Sequence, residues 1–191
     1  MARTSTFTSA FLRHRDVLEA SMRQILPDVE RAGTLLLRAL SAKKKVLVCG
    51  NGGSAADSQH FAAELVGRYA KNRKALPALA LTVDSSALTA IANDWDFEYV
   101  FARQVEALGN AGDVLVAFTT SGRSKNVLAA IRTARKKKMH VIALTGEKGK
   151  GLRKSADVTV VVPSKETARI QEMHELTFHA WCEFLEGKFR S

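Results

Sequence analysis

The chain has 191 residues, 46% hydrophobic and 25% charged, with 3 Pro and 12 Gly, a balance that supports one full core and excludes intrinsic disorder. Its two cysteines, Cys49 and Cys182, lie far apart and exclude a disulfide scaffold, and no apolar run approaches the roughly 20 residues of a membrane span. A net charge of +10, from 29 basic against 19 acidic residues, admits nucleic acid, a membrane surface or anionic metabolites as partners.

The opening Met1-Ala2-Arg3-Thr4 lacks the continuous apolar segment of a signal peptide, so a cytoplasmic protein with reduced thiols is expected. Phe11, Leu18, Met22, Ile25 and Val29 then recur at spacings of three, four and seven, and Leu36 with Leu40 continues the stripe. This predicts a helical arm over 1–41 with one apolar face, able to pack on its own domain or on another chain. Pro27 predicts a break into two helices, because proline favours a first turn.

From residue 45 the pattern changes to short β-branched runs. Strands are predicted at 46–49, 78–82, 114–118, 141–144 and 158–162, apolar throughout, as for parallel strands covered on both faces. Helices are predicted near 54–67, 87–108 (interrupted), 124–137, 149–154 and 167–187. The alternation predicts an α/β fold, a doubly wound five-stranded parallel sheet over 42–191 with an N-terminal helical arm, in one structural domain. The basic clusters Lys43 to Lys45, Lys71 to Lys74 and Arg135 to Lys138 sit where helices end, and read as solvated surface complementing helix C-termini. Cys49, Cys182, Trp95 and Trp181 read as packing residues.

In such sheets ligands bind beyond the carboxyl ends of strands. The first strand enters Gly50-Asn51-Gly52-Gly53-Ser54 and then a helix, which offers close backbone approach and free N–H groups to an anion. The spacing misses the dinucleotide fingerprint, and the loop reads equally well as a tight turn. The third strand enters Thr119-Thr120-Ser121-Gly122-Arg123-Ser124 before another helix. One hydroxyl would suffice for a helix cap; four with a glycine predict a phosphate cradle. Neither this loop nor 146–151 matches the triphosphatase motif. His60 and Glu64 share a helix face at i,i+4, and Gln171, Glu172, His174, Glu175 and His179 lie on the last helix. Such a pairing serves a metal half-site, an acid/base pair or a surface contact.

With these segments assembled, the sequence resembles sugar isomerase (SIS) domains of flavodoxin-like fold, and more closely the bacterial phosphoheptose isomerases, over nearly its whole length. The resemblance rests on Cys49 to Ser54, His60 to Tyr69, Asn93-Asp94, Phe101 to Glu106, Thr119 to Ser124, and Thr167 to His174 with His179. It implies an aldose–ketose isomerase converting sedoheptulose 7-phosphate to D-glycero-D-manno-heptose 7-phosphate. It also implies sugar-phosphate contacts from Asn51, Gly52, Gly53, Ser54, Glu64, Asn93, Asp94, Thr119, Thr120, Ser121, Ser124 and Gln171. One Zn²⁺ per subunit would be held by His60, Glu64, Gln171 and His179. Thr119 stands where serine is usual, and Arg123 where asparagine is frequent.

Moving a proton between adjacent carbons through an enediol requires a base, an acid and an electrophile. Under the resemblance Glu64 is the base and His179 the acid. Gln171 and His179 are eight residues apart, about 12 Å along a helix axis, too far to close on one ion from both ends. The expectation is therefore a homo-oligomer, a tetramer as in the resembled family, with active sites shared between chains. Two alternatives share the fold: a non-catalytic protein binding a replication initiator, against which the intact His60, Glu64, Gln171 and His179 argue, and a transcription regulator, for whose DNA-binding module the arm is too short. Neither nucleic acid nor a membrane is an expected partner.

Overall fold

A computed structural model describes residues 5–189; residues 1–4 of the expected arm lie outside them. Helix α1 (Thr6–Gln24) is capped by Ser5, whose hydroxyl accepts the Thr8 N–H at 3.1 Å. Helix α2 (Leu26–Ser41) starts immediately after Ile25, with Pro27 in its first turn, where a missing N–H costs no helical bond. Buried Ala32, Leu36, Ala39 and Leu40 set α2 into the core.

The rest alternates: β1 (Val46–Cys49), α3 (Gly53–Val66), β2 (Ala78–Ala80), α4 (Ser85–Asp94), α5 (Val100–Leu108), β3 (Val114–Thr119), α6 (Lys125–Lys136), β4 (His140–Gly146), β5 (Val158–Val162) and α7 (Thr167–Glu186). All strands are parallel, in the order β2-β1-β3-β4-β5. Side chains alternate faces along a strand. Val46, Val48, Val114, Val116 and Phe118 thus join α2, α3 and α7 in one core. Leu47, Cys49, Leu115 and Ala117 join α5 and α6 in the other. Trp181 anchors the first core: fully packed, it donates its indole N–H to the Val29 carbonyl at 2.9 Å. Truncating it to alanine costs about 3–5 kcal/mol.

The sequence reverses direction between β1 and β3, so the loops leaving those two neighbours diverge to opposite faces and leave a crevice at the switch point. Three local expectations are corrected. β2 stops at Ala80 rather than reaching 82, and the chain turns from there toward α4, capped by Asp84. The segment Glu147–Lys154 is a 3₁₀ helix, since its two glycines favour no regular α-turn. Trp95 is 59% exposed, its ring covered by the Arg103 guanidinium at 4.9 Å; cation–π contact replaces the expected core packing. No helix among the described residues is long and apolar enough to cross a membrane.

Candidate active site

The loops after β1 and β3 meet at the switch point. Their junction is a reciprocal pair of amide bonds: Asn51 donates to Asn126 Oδ1 at 2.9 Å and accepts from Asn126 Nδ2 at 2.8 Å. The Asn51 side chain is thereby committed to bracing α6, and the same Asn126 oxygen accepts the Val127 N–H. Gly53 opens α3, and a Cβ there would lie 2.5 Å from the Gln171 amide. Only glycine lets Gln171 of α7 close on this helix start. Ser54, next along, is buried, and its carbonyl accepts the Ser58 hydroxyl at 2.7 Å.

In the β3 loop, Thr119 is buried and its hydroxyl accepts the Gly122 N–H at 3.2 Å and faces Ser124 Oγ at 3.3 Å. Gly122 adopts φ +66° with its Cα packed on Gly149, a close backbone crossing in the left-handed region. The Ser121 hydroxyl accepts the Arg123 N–H at 3.2 Å. Ser124 is the N-cap of α6, yet its side chain makes no capping bond. Hydroxyls of Thr120, Ser121 and Ser124 thus surround a helix start whose dipole favours an anion. Asn93 and Asp94 are exposed at the end of α4 and bond to each other at 2.9 Å; among the described residues no hydrogen bond joins them to either loop.

The second cluster lies where α3 and α7 run side by side. His60 Nε2 is 3.2 Å from Glu64 Oε1 and 3.4 Å from His179 Nε2. His60 Nδ1 is 3.6 Å from Glu175 Oε1. The second Glu64 oxygen is buried without a partner. Asp57, one turn earlier on α3, also has a buried unpartnered oxygen; burial and then the Glu175 charge push its carboxyl up to about 6, against the pull of His60. Two imidazole nitrogens facing each other among three carboxyls form a donor set with excess negative charge. Ligand atoms of His60, Glu175 and His179 all lie within 4.8 Å of one another. Nitrogen and carboxylate ligands at this spacing suit Zn²⁺.

Of the four expected metal residues, His60 and His179 are together within one chain, joined by Glu175, and Glu64 contacts His60 beside them. Gln171 is not with them: it sits at Gly53, about 12 Å along α7 from His179 by helix rise. The separation expected of Gln171 and His179 holds, while Glu64 and His179 both reach His60.

A family model described as the SIS domain matches residues 11–146. Phosphoheptose isomerase 1 of Campylobacter jejuni is 52% identical over 92% of this chain and 94% of its own length. A phosphoheptose isomerase of Helicobacter pylori is 49% identical, over 94% and 93%. Among solved structures, a phosphoheptose isomerase from Neisseria gonorrhoeae superposes with a TM-score of 0.90 at 45% identity, over 95% of this chain and 97% of that one. The chain belongs to the phosphoheptose isomerases of the SIS-domain family. It is an isomerase.

Asp57 and Asn126 of this candidate site escaped the sequence reading, and Glu175 was named there without a role of its own. Glu175 joins His60 and His179; its i,i+4 spacing to His179 was visible, but solvated helix faces show the same spacing. Asp57 repeats one turn before His60, a spacing equally common at random. Asn126 carried no signal, since its role is a bond to a loop 75 residues away. His174, beside Glu175, takes no part in the cluster. It is wholly buried with its ring 5.6 Å from that of Phe118, and burial pushes it down to about 3 against the opposing Thr145 carbonyl, so it is neutral.

Proposed function

We propose that the chain interconverts sedoheptulose 7-phosphate and D-glycero-D-manno-heptose 7-phosphate through an enediol. The observation that carries this reading is the meeting of a carboxylate, Glu64, and an imidazole, His179, on His60, in a chain of this family. The Glu64 carboxylate removes the proton from the hydroxymethyl carbon next to the ketone, and a ring N–H of His179 protonates the ketone oxygen. The resulting enediol returns the terminal hydroxyl proton to His179 while Glu64 delivers its proton to the former ketone carbon, leaving an aldehyde. Zinc would be held by His60 and His179 with the Glu175 carboxylate, beside Glu64 on His60, and would polarise the substrate oxygens. Gln171, placed at Gly53, is assigned to the sugar together with Gly52, Ser54, Asn93 and Asp94.

The phosphate is assigned to Thr119, Thr120, Ser121 and Ser124 at the start of α6, where hydroxyls, N–H groups and helix dipole converge. His60 sits about 10 Å and Glu64 about 16 Å down α3 from Gly53, and the His60 side chain is 42% exposed. An enediol needs shelter from water. We therefore assign the enzyme to a homotetramer in which a neighbouring chain covers the cluster. Phe7 and Phe11 of the 1–41 arm, 81% and 79% exposed, with Leu176 and Phe184 of α7, supply apolar surface for that contact. The cytoplasm, where the two buried thiols stay reduced, is its assigned compartment.

Incubating the purified chain with sedoheptulose 7-phosphate and identifying the product by NMR tests the reading. An aldoheptose 7-phosphate is expected. Recovery of unchanged ketose, with turnover of a different sugar phosphate, contradicts the substrate assignment.

A further inference from the structure

Glu64 lies two residues before the end of α3, where backbone carbonyls have no helical partner. The Arg73 guanidinium takes them: Nη2 donates to the Glu64 carbonyl at 2.6 Å, and Nη1 donates to the Leu65 carbonyl and to Lys74, both at 2.9 Å. A cation there also complements the helix dipole. On the other side, buried Glu186 ends α7, seven residues and two turns beyond His179. Its carboxylate accepts the N–H of Ala70 at 3.0 Å and of Tyr69 at 3.2 Å, the fourth and third residues after α3. Burial opposes the Glu186 charge, but N–H donors from Lys71, Ala70 and Tyr69, with the Arg73 charge, hold its carboxyl below the ordinary range. The buried Cys182 thiol, one turn past His179, feels Glu64, Arg73 and Glu186 together.

The excursion of 67–74 is thus held at Tyr69 and Ala70 by α7 and at Arg73 by α3. Nothing in loop packing requires two charged side chains for this; neutral caps close most helices. What the arrangement fixes is the height of the last turn of α3 against α7, and with it the Glu64 carboxylate against His179.

We propose that Arg73 and Glu186 form a two-part clasp that positions Glu64 relative to His179 for proton transfer. Both are positioning residues; neither touches the reacting atoms. The inference rests on the reading of Glu64 and His179 as base and acid.

The test compares R73K, E186Q and E64Q with the unmodified enzyme by steady-state kinetics, by hydrogen exchange over 62–71, and by the imidazole NMR signals of His60 and His179. R73K keeps the charge but loses the planar fork, and E186Q keeps acceptor and shape. The clasp predicts a fall in kcat of about 10- to 100-fold with KM within about twofold. It also predicts faster exchange at 64–70 and shifted imidazole signals in both variants. If R73K does not fold, E186Q alone decides by the same three readouts. A lowered melting temperature with kcat within twofold and unmoved imidazole signals overturns the clasp, reducing it to a loop staple. Near-normal kcat in E64Q instead overturns the assignment of the base. The imidazole signals then still decide whether the clasp sets the cluster geometry.

Discussion

His60 of α3 and His179 of α7, 119 residues apart in sequence, face each other Nε2 to Nε2 at 3.4 Å. Only one of them can bring a proton to that contact, so the pair is built to share either a proton or a cation. Phe178 fixes the geometry, packing its ring against both, with centroids 5.2 Å from His60 and 4.7 Å from His179. A core residue and a member of the imidazole pair are thus consecutive in α7.

The phosphate assignment predicts a separation of kinetic effects. Replacing Ser121 and Ser124 together by alanine removes two donors to an anion, each hydrogen bond to a charged group being worth about 1.5–3 kcal/mol. Steady-state kinetics should show KM raised at least about tenfold, with kcat within about threefold. An unchanged KM would place the phosphate elsewhere.

Gly122 should tolerate no side chain. Its φ of +66° and its contact with the Gly149 backbone mean that Gly122→Ala adds left-handed strain of about 1–2 kcal/mol to a steric clash. The variant should melt several degrees lower and bind sugar phosphate more weakly. Gly53→Ala meets only the mobile end of Gln171 and should melt near the parent while its KM rises. Equal stability of Gly122→Ala and the parent would show that the loop is not held as described.

Acid stability should depend on Asp113. Burial alone would raise its pKa, but the Lys45 side chain at 2.5 Å and the backbone N–H groups of Lys45 and Asn110 outweigh burial and lower it. A carboxyl lowered in the folded state contributes stability that is full above its unfolded value of about 3.9. That contribution is lost as pH falls through the folded value. Asp113→Asn should therefore cost about 1–3 kcal/mol near neutral pH, and the difference from the parent should vanish toward low pH. A difference in melting temperature that is constant with pH would rule out the ionised pairing.

The sheet was legible because buried parallel strands are apolar throughout, a pattern unlike their amphipathic helices, and β5 is bounded as expected at Val158–Val162. Only the end of β2 was not, since the chain leaves the sheet for the α4 cap after Ala80. The Ser/Thr loop and the His60–Glu64 pair were legible because each is local. Glu175 and Asn126 were not, because their meaning comes from residues on other elements. Gln171 shows the limit in another way: its eight-residue distance from His179 excluded a common ion, but only the fold reveals Gly53 as its neighbour.

The central claim is that Glu64 carries the proton between the two carbons. Running the reaction in D₂O and locating deuterium in the product by NMR tests it directly. The account predicts deuterium at the former ketone carbon with the unmodified enzyme, and neither exchange nor turnover with Glu64→Gln although sugar phosphate still binds. Deuterium incorporation by Glu64→Gln at a rate near the parent's would contradict it.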